Sequence, residues 1–166
     1  MTNLRRWPFA VMATALIALA QPAFACTPCL SDRHDLSLSL GKNNRAHSEI
    51  YLRYEAPSAL WAFRPVVGLS RSSAREVWAG AGLMLTWKRP DGPFFVQGSV
   101  MPGVYNEGGG INLGGSFQIR SSLEAGYELP SRLRVSIGVD HRSNANTKPF
   151  NPGMDGLHLR LSVPLR

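Results

Sequence analysis

The sequence predicts an all-β protein, an eight-stranded antiparallel transmembrane β-barrel of the outer membrane, and three observations carry that reading. Hydrophobic residues recur with period two along eight separate segments, the spacing of strands that present one face to each side. The second face of those segments mixes charges of both signs with Gly and Ser, which suits a narrow lumen packed by paired polar groups better than a surface turned to water. The 16 Gly and 12 Pro among 166 residues are spread along the chain, breaking long helices and favouring short strands joined by turns. A hydrophobic share of 44% with 17% charged residues excludes a disordered polar chain.

The first 25 residues read as a signal peptide, because Arg5 and Arg6 precede an apolar run from Phe9 to Ala20 and then the cleavage pattern Ala23-Phe24-Ala25. That run is too short to span a bilayer. Residues 26–166 then form a single barrel domain. Export also weighs against nucleic acid as the partner of a chain with 18 Lys plus Arg and 11 Asp plus Glu, and no basic run with interleaved aromatics occurs.

The strand candidates follow in order. Leu36, Leu38 and Leu40 alternate with Ser37 and Ser39, and Ile50, Leu52 and Tyr54 with Tyr51, Arg53 and Glu55. A third segment runs from Trp61 to Ser70 and a fourth from Val77 to Lys88. The fifth carries Phe94, Val96 and Val100, and the sixth runs from Phe117 to Leu129 with Arg120 and Glu124 on its polar face. The seventh sets Leu133, Val135, Ile137 and Val139 against Arg134, Ser136 and Gly138; the eighth sets Leu157, Leu159 and Leu161 against His158, Arg160 and Ser162. Trp61, Trp87 and Tyr127 mark where aromatic girdles are expected. Tight turns at 56–59, 89–92 and 129–132 alternate with long connections at 102–115 and 142–155, as in barrels with short turns on one rim and long loops on the other. The Gly run 108–110 lacks the strand-to-helix frame and the Lys of a phosphate loop and reads as part of a loop.

Chemistry gathers where the seventh strand enters its long loop. By strand period His141 and Ser143 share the outward face of Val135, Ile137 and Val139, where a polar side chain is costly without a task. Counting back from Leu161, Leu159 and Leu157 puts Asp155 in the same outward phase. Histidine, serine and carboxylate therefore converge near one rim across an antiparallel pair, the set a general-base triad needs. Asn144 is the candidate amide for a developing oxyanion. His158, on the lumen phase, reads as structural, and His34 and His47 as rim residues.

The stretch His141-Arg142-Ser143-Asn144-Ala145, the Pro-rich loop, Asn151-Pro152-Gly153-Met154-Asp155 and the alternating final strand resemble the C-terminal part of the lipid A 3-O-deacylase (PagL) family. The resemblance implies an eight-stranded outer-membrane barrel that hydrolyses the ester-linked acyl chain at position 3 of lipid A with a His-Ser-Glu triad on its outer face. By position the histidine falls on His141, the serine on Ser143, the asparagine on Asn144 and the glutamate on Asp155. Aspartate is a departure, since its arm is one methylene shorter. The chain also ends in Leu165-Arg166 where an aromatic is usual, and Cys26-x-x-Cys29 has the spacing of a redox or metal pair. Lacking further ligands at zinc spacing, the two cysteines read as a small disulfide or idle thiols. The expected partners are lipid A and the surrounding lipid, with a homodimer as a further candidate, and no cofactor or metal is expected. The alternative is an inactive structural or adhesive barrel, favoured by Asp155 and the missing terminal aromatic.

Overall fold

A computed structural model describes residues 27–165; the segment read as a signal peptide, and Cys26, lie outside the described residues. The described chain is strand and connection throughout: β1 (Thr27–Pro28), β2 (His34–Asn43), β3 (Ser48–Glu55), β4 (Arg64–Ser72), β5 (Val77–Lys88), β6 (Phe94–Asn106), β7 (Phe117–Glu128), β8 (Arg134–Ser143) and β9 (Met154–Leu165). Each of β2 to β9 pairs antiparallel with its sequence neighbours, β2 pairs with β9, and the sheet closes into an eight-stranded barrel. The two-residue β1 pairs with the end of β5, Thr27 opposite Lys88 and Pro28 opposite Trp87.

Alternation decides what faces where. On β2, Leu36, Leu38 and Leu40 are exposed on the outer wall, whereas Asp35, Ser37 and Ser39 are buried inside. The same holds for Val135, Ile137 and Val139 against Arg134, Ser136 and Asp140 on β8. An exterior of Leu, Val and Ile around a closed ladder leaves no strand edge bare and suits a hydrocarbon surround. Trp61, Trp87 and Tyr127 all lie at the rim of the short turns, where Phe94 packs edge-on against Tyr127 at 5.3 Å between centroids and Trp61 against Phe63 at 6.1 Å.

The lumen is filled by ion pairs. Arg53 bonds Glu124 at 2.8 Å and Glu55 at 2.7 Å, and Arg160 also bonds Glu124. Arg64 reaches Asp35 at 2.9 Å, while Arg120 bridges Glu49 and Asp140 at 2.8 and 2.9 Å. The Arg120 guanidinium also lies 3.9 Å from the Tyr51 ring centroid. Buried charges persist only when so compensated. His158 is among them, its Nδ1 3.3 Å from Asp140 Oδ2. The polar face of the strands is therefore the core, with Trp78, Met84 and Met101 filling the space between the pairs.

Boundaries differ from the sequence reading in three places. β4 starts at Arg64, because Trp61 takes φ +55° in a tight reversal closed by Phe63 N–H to Leu60 O at 3.0 Å. β6 continues to Asn106, so the connection expected at 102–115 is a loop of 107–116 only. Pro102 has no N–H to give, and the β5–β6 ladder skips it, resuming at Gly80 opposite Gly103. Facing that gap, Gly82 approaches so closely that an added Cβ would lie 2.0 Å from Val100 O. The last long connection is likewise trimmed to 144–153.

Loop 107–116 is tied over its mouth of the barrel. Tyr105 Oη and the Ile111 N–H both donate to Glu76 Oε1 at 3.2 Å, and Leu113 is buried, its carbonyl accepting from Gln118 Nε2 at 3.1 Å. His47 Nδ1 stands 3.4 Å from Glu76. These contacts fix the loop beside the end of β8, where the polar residues of the outer wall lie.

Candidate active site

Strand register builds the site. In the β8–β9 ladder His141 stands directly opposite Asp155, and in the β7–β8 ladder it stands directly opposite Ser121. Directly opposed residues bring their Cβ atoms to about 5 Å, so a short carboxylate suffices to touch the ring. His141 Nδ1 lies 2.7 Å from Asp155 Oδ1. An ionised carboxylate only accepts, so Nδ1 carries the proton and Nε2 is left as the basic nitrogen. Both side chains lie on the outer wall, 52% and 68% exposed, where lipid surrounds a barrel of this kind.

Ser143 follows two residues on, at the last position of β8, opposite Ile119 and on the same wall as His141. Outward phase for His141, Ser143 and Asp155 therefore agrees with strand period. Asn144 does not join them. Its side chain is buried, and Nδ2 donates to the carbonyls of Leu113 and Phe150 at 3.2 and 2.8 Å, so the carboxamide is engaged inside the rim and cannot serve an oxyanion on the outer wall. The reason is parity: position 144 is even and turns inward. The carboxamide instead anchors the turn after Ser143, closed by Thr147 N–H to Asn144 O at 3.0 Å, with Ala145 and Asn146 at φ +52° and +60°. Two left-handed non-glycine residues in succession are unusual, and such strain concentrates at functional sites.

Two neighbours of the site escaped sequence reasoning. Ser121 sits across the ladder from His141, a relation that exists only once the β7–β8 register is known. Gly153, at φ +67°, passes so near the imidazole that a Cβ built there would lie 2.9 Å from His141 Cε1 and 3.6 Å from Nε2. A glycine following Pro152 just before the last strand was its only sequence signal. Gly153→Ala combines backbone strain with displacement of the ring, so the expected result is a folded barrel whose kcat falls by about tenfold or more, given that a 1 Å misplacement costs on the order of 10²-fold. A rate equal to the parent's would show that the ring does not rest on this glycine.

Comparisons with known proteins match the barrel as a whole. A family model described as lipid A 3-O-deacylase (PagL) matches residues 33–164. The crystal structure of the outer-membrane enzyme PagL superposes with a TM-score of 0.70 at 17% identity, covering 79% of this chain and 99% of that one. A de novo designed transmembrane β-barrel superposes with a TM-score of 0.59 at 9% identity, over 84% of this chain and 100% of the design. No curated protein matches.

Proposed function

The chain belongs to the lipid A 3-O-deacylase (PagL) family, and from that membership we propose that it hydrolyses the ester-linked 3-hydroxyacyl chain at position 3 of lipid A in the outer membrane. The observation that carries the reading is the His141–Asp155 pair, 2.7 Å long and turned to the outer wall with Ser143 two residues away. A polar constellation on a lipid-facing wall is expensive unless it works there, and an acyl ester in the same leaflet is the substrate such a placement reaches without extraction. The long loops 107–116 and 144–153 then face outside the cell, and residues 1–25 serve export.

In this mechanism Ser143 Oγ attacks the ester carbonyl carbon as its proton passes to His141 Nε2. Asp155 holds the Nδ1 tautomer and stabilises the imidazolium. Main-chain N–H groups of the turn at Ala145 and Asn146 are the donors we assign to the oxyanion, with Asn144 anchoring that turn. Collapse breaks the bond to the 3-oxygen of lipid A, which takes the proton from Nε2. Water, deprotonated by His141, then cleaves the acyl-serine, releasing a 3-hydroxy fatty acid and restoring Ser143. An aspartate at 155 suits this chemistry, because its shorter arm meets the imidazole.

Mass spectrometry of lipid A from cells making the protein tests the reading. The expected result is loss of one 3-hydroxyacyl mass; unchanged lipid A in cells with folded protein in the outer membrane overturns it.

A further inference from the structure

Exposed charge is one-sided on the half of the long-loop rim that carries β2 to β5. Between positions 41 and 77 the acids Glu49, Glu55 and Glu76 are all buried, whereas Lys42, Arg45, Arg71 and Arg75 are exposed and make no ion pair among the described residues. Glu107 is the exposed acid beside them, in the loop that Gly109 N–H ties to Ala74 O at 2.8 Å. This sector of the rim is therefore positive, and an anion complements it.

Arg71 turns to the outer wall one residue before β4 ends, with Ile50 of β3 and Val77 of β5 as its ladder partners. That position sets its guanidinium where the apolar belt gives way to headgroups. Below it a groove of about 580 Å³ runs between β3 and β4, walled by Ile50, Leu52, Leu69 and Val77. Ser48 and Ser73 lie at the rim end of the groove, joined by Ser73 N–H to Ser48 O at 2.8 Å. The volume falls within the range of pockets that hold a single ligand, about 300–1,000 Å³. An unpaired guanidinium on a lipid-facing wall is costly by itself, and a phosphate meets its planar fork with two parallel bonds. A cation above an apolar slot thus has the chemistry of a phosphorylated headgroup with an acyl chain hanging below it. In the closed ring β4 lies four strands from β8 in either direction, so whatever occupies this groove is a different molecule from one seated at Ser143.

We propose that the Arg71 groove is a second lipid A site, separate from the catalytic one, in which the guanidinium binds a headgroup phosphate and the slot takes an acyl chain. The inference rests on the proposed placement of the long loops outside the cell, where the facing leaflet carries lipid A, and not on the hydrolysis. Lipid A brings phosphates and several acyl chains on one disaccharide, which suits a rim sector where Arg45 and Arg75 stand on the turns that adjoin Arg71. The molecule held there takes no part in the reaction and anchors the far side of the barrel at headgroup depth.

The test uses the full chain refolded in detergent micelles with Ser143→Ala, so that binding is read without turnover. Native mass spectrometry counts lipid A molecules per chain and titration gives their affinities, folding being checked by the heat-dependent gel mobility of the barrel. Two molecules are expected per chain. Arg71→Gln should weaken one of them by about tenfold or more and leave the other unchanged, while Arg89→Gln on the opposite rim changes neither. A phosphate-free analogue of the same acylation should bind alike with and without Arg71→Gln. A single lipid A per chain, or two whose affinities Arg71→Gln leaves unchanged, overturns the site. Phosphatidylglycerol competing there with equal affinity overturns it as a lipid A site and leaves a general contact for anionic lipid. Arg71-dependent binding by a chain that, with Ser143 intact, leaves lipid A uncleaved would keep the site and overturn the hydrolase reading; deacylation without Arg71-dependent binding overturns this inference alone.

Discussion

Ser143→Ala and His141→Ala each reduce deacylation to background in barrels that still fold, with an expected loss of about 10⁴-fold or more when the members act as one unit. Folding is spared because neither side chain belongs to the core, which is the ionic lumen; both stand on the outer wall. The useful control is Ser121→Ala. Ser121 also stands opposite His141, so the imidazole has a hydroxyl across the β7–β8 ladder as well as one along its own strand. Ser143 is favoured because it adjoins the turn at Ala145 and Asn146, whose N–H groups are the donors proposed for the oxyanion. The measurement is lipid A released acyl mass per unit of folded protein. A dead Ser121→Ala beside an active Ser143→Ala would move the nucleophile across the ladder and overturn the assignment.

Asp155→Ala is expected to lower kcat by about 10²–10⁴-fold, whereas His158→Ala keeps kcat and costs stability. The two residues lie three apart on β9 and point to opposite sides of the wall. Asp155 meets His141 Nδ1 in the apolar surround of the outer face, where loss of the carboxylate frees the tautomer and removes support for the imidazolium. His158 sits between Asp140 and Glu124 in the lumen, and its removal leaves buried carboxylates with fewer partners, at a cost of about 1–3 kcal/mol. Asp155→Glu should retain activity, since the extra methylene has room to bend at an exposed position. Turnover numbers with denaturant midpoints separate the effects. Parent-like turnover in Asp155→Ala with a dead but folded His158→Ala would place the active face inside the barrel.

Sequence alone determined the barrel, the count of its strands and the side on which each residue falls, because a period of two is a local property that closure does not alter. Leu36, Leu38 and Leu40 could face only one way once Ser37 and Ser39 faced the other. The same parity put His141, Ser143 and Asp155 on one wall and His158 on the other, and it was available for Asn144 too, whose even position turns it inward and whose carboxamide therefore holds Leu113 and Phe150. Register was not legible, since it belongs to pairs of strands and not to either one. That Asp155 faces His141 squarely, so that an aspartate reaches where a longer arm was expected, follows from the β8–β9 alignment. So do Ser121 beside the imidazole and Gly153 beneath it. The continuation of β6 through Pro102 was likewise hidden, because a proline is costly only where the ladder asks for its N–H, and only the neighbouring strand decides where that is.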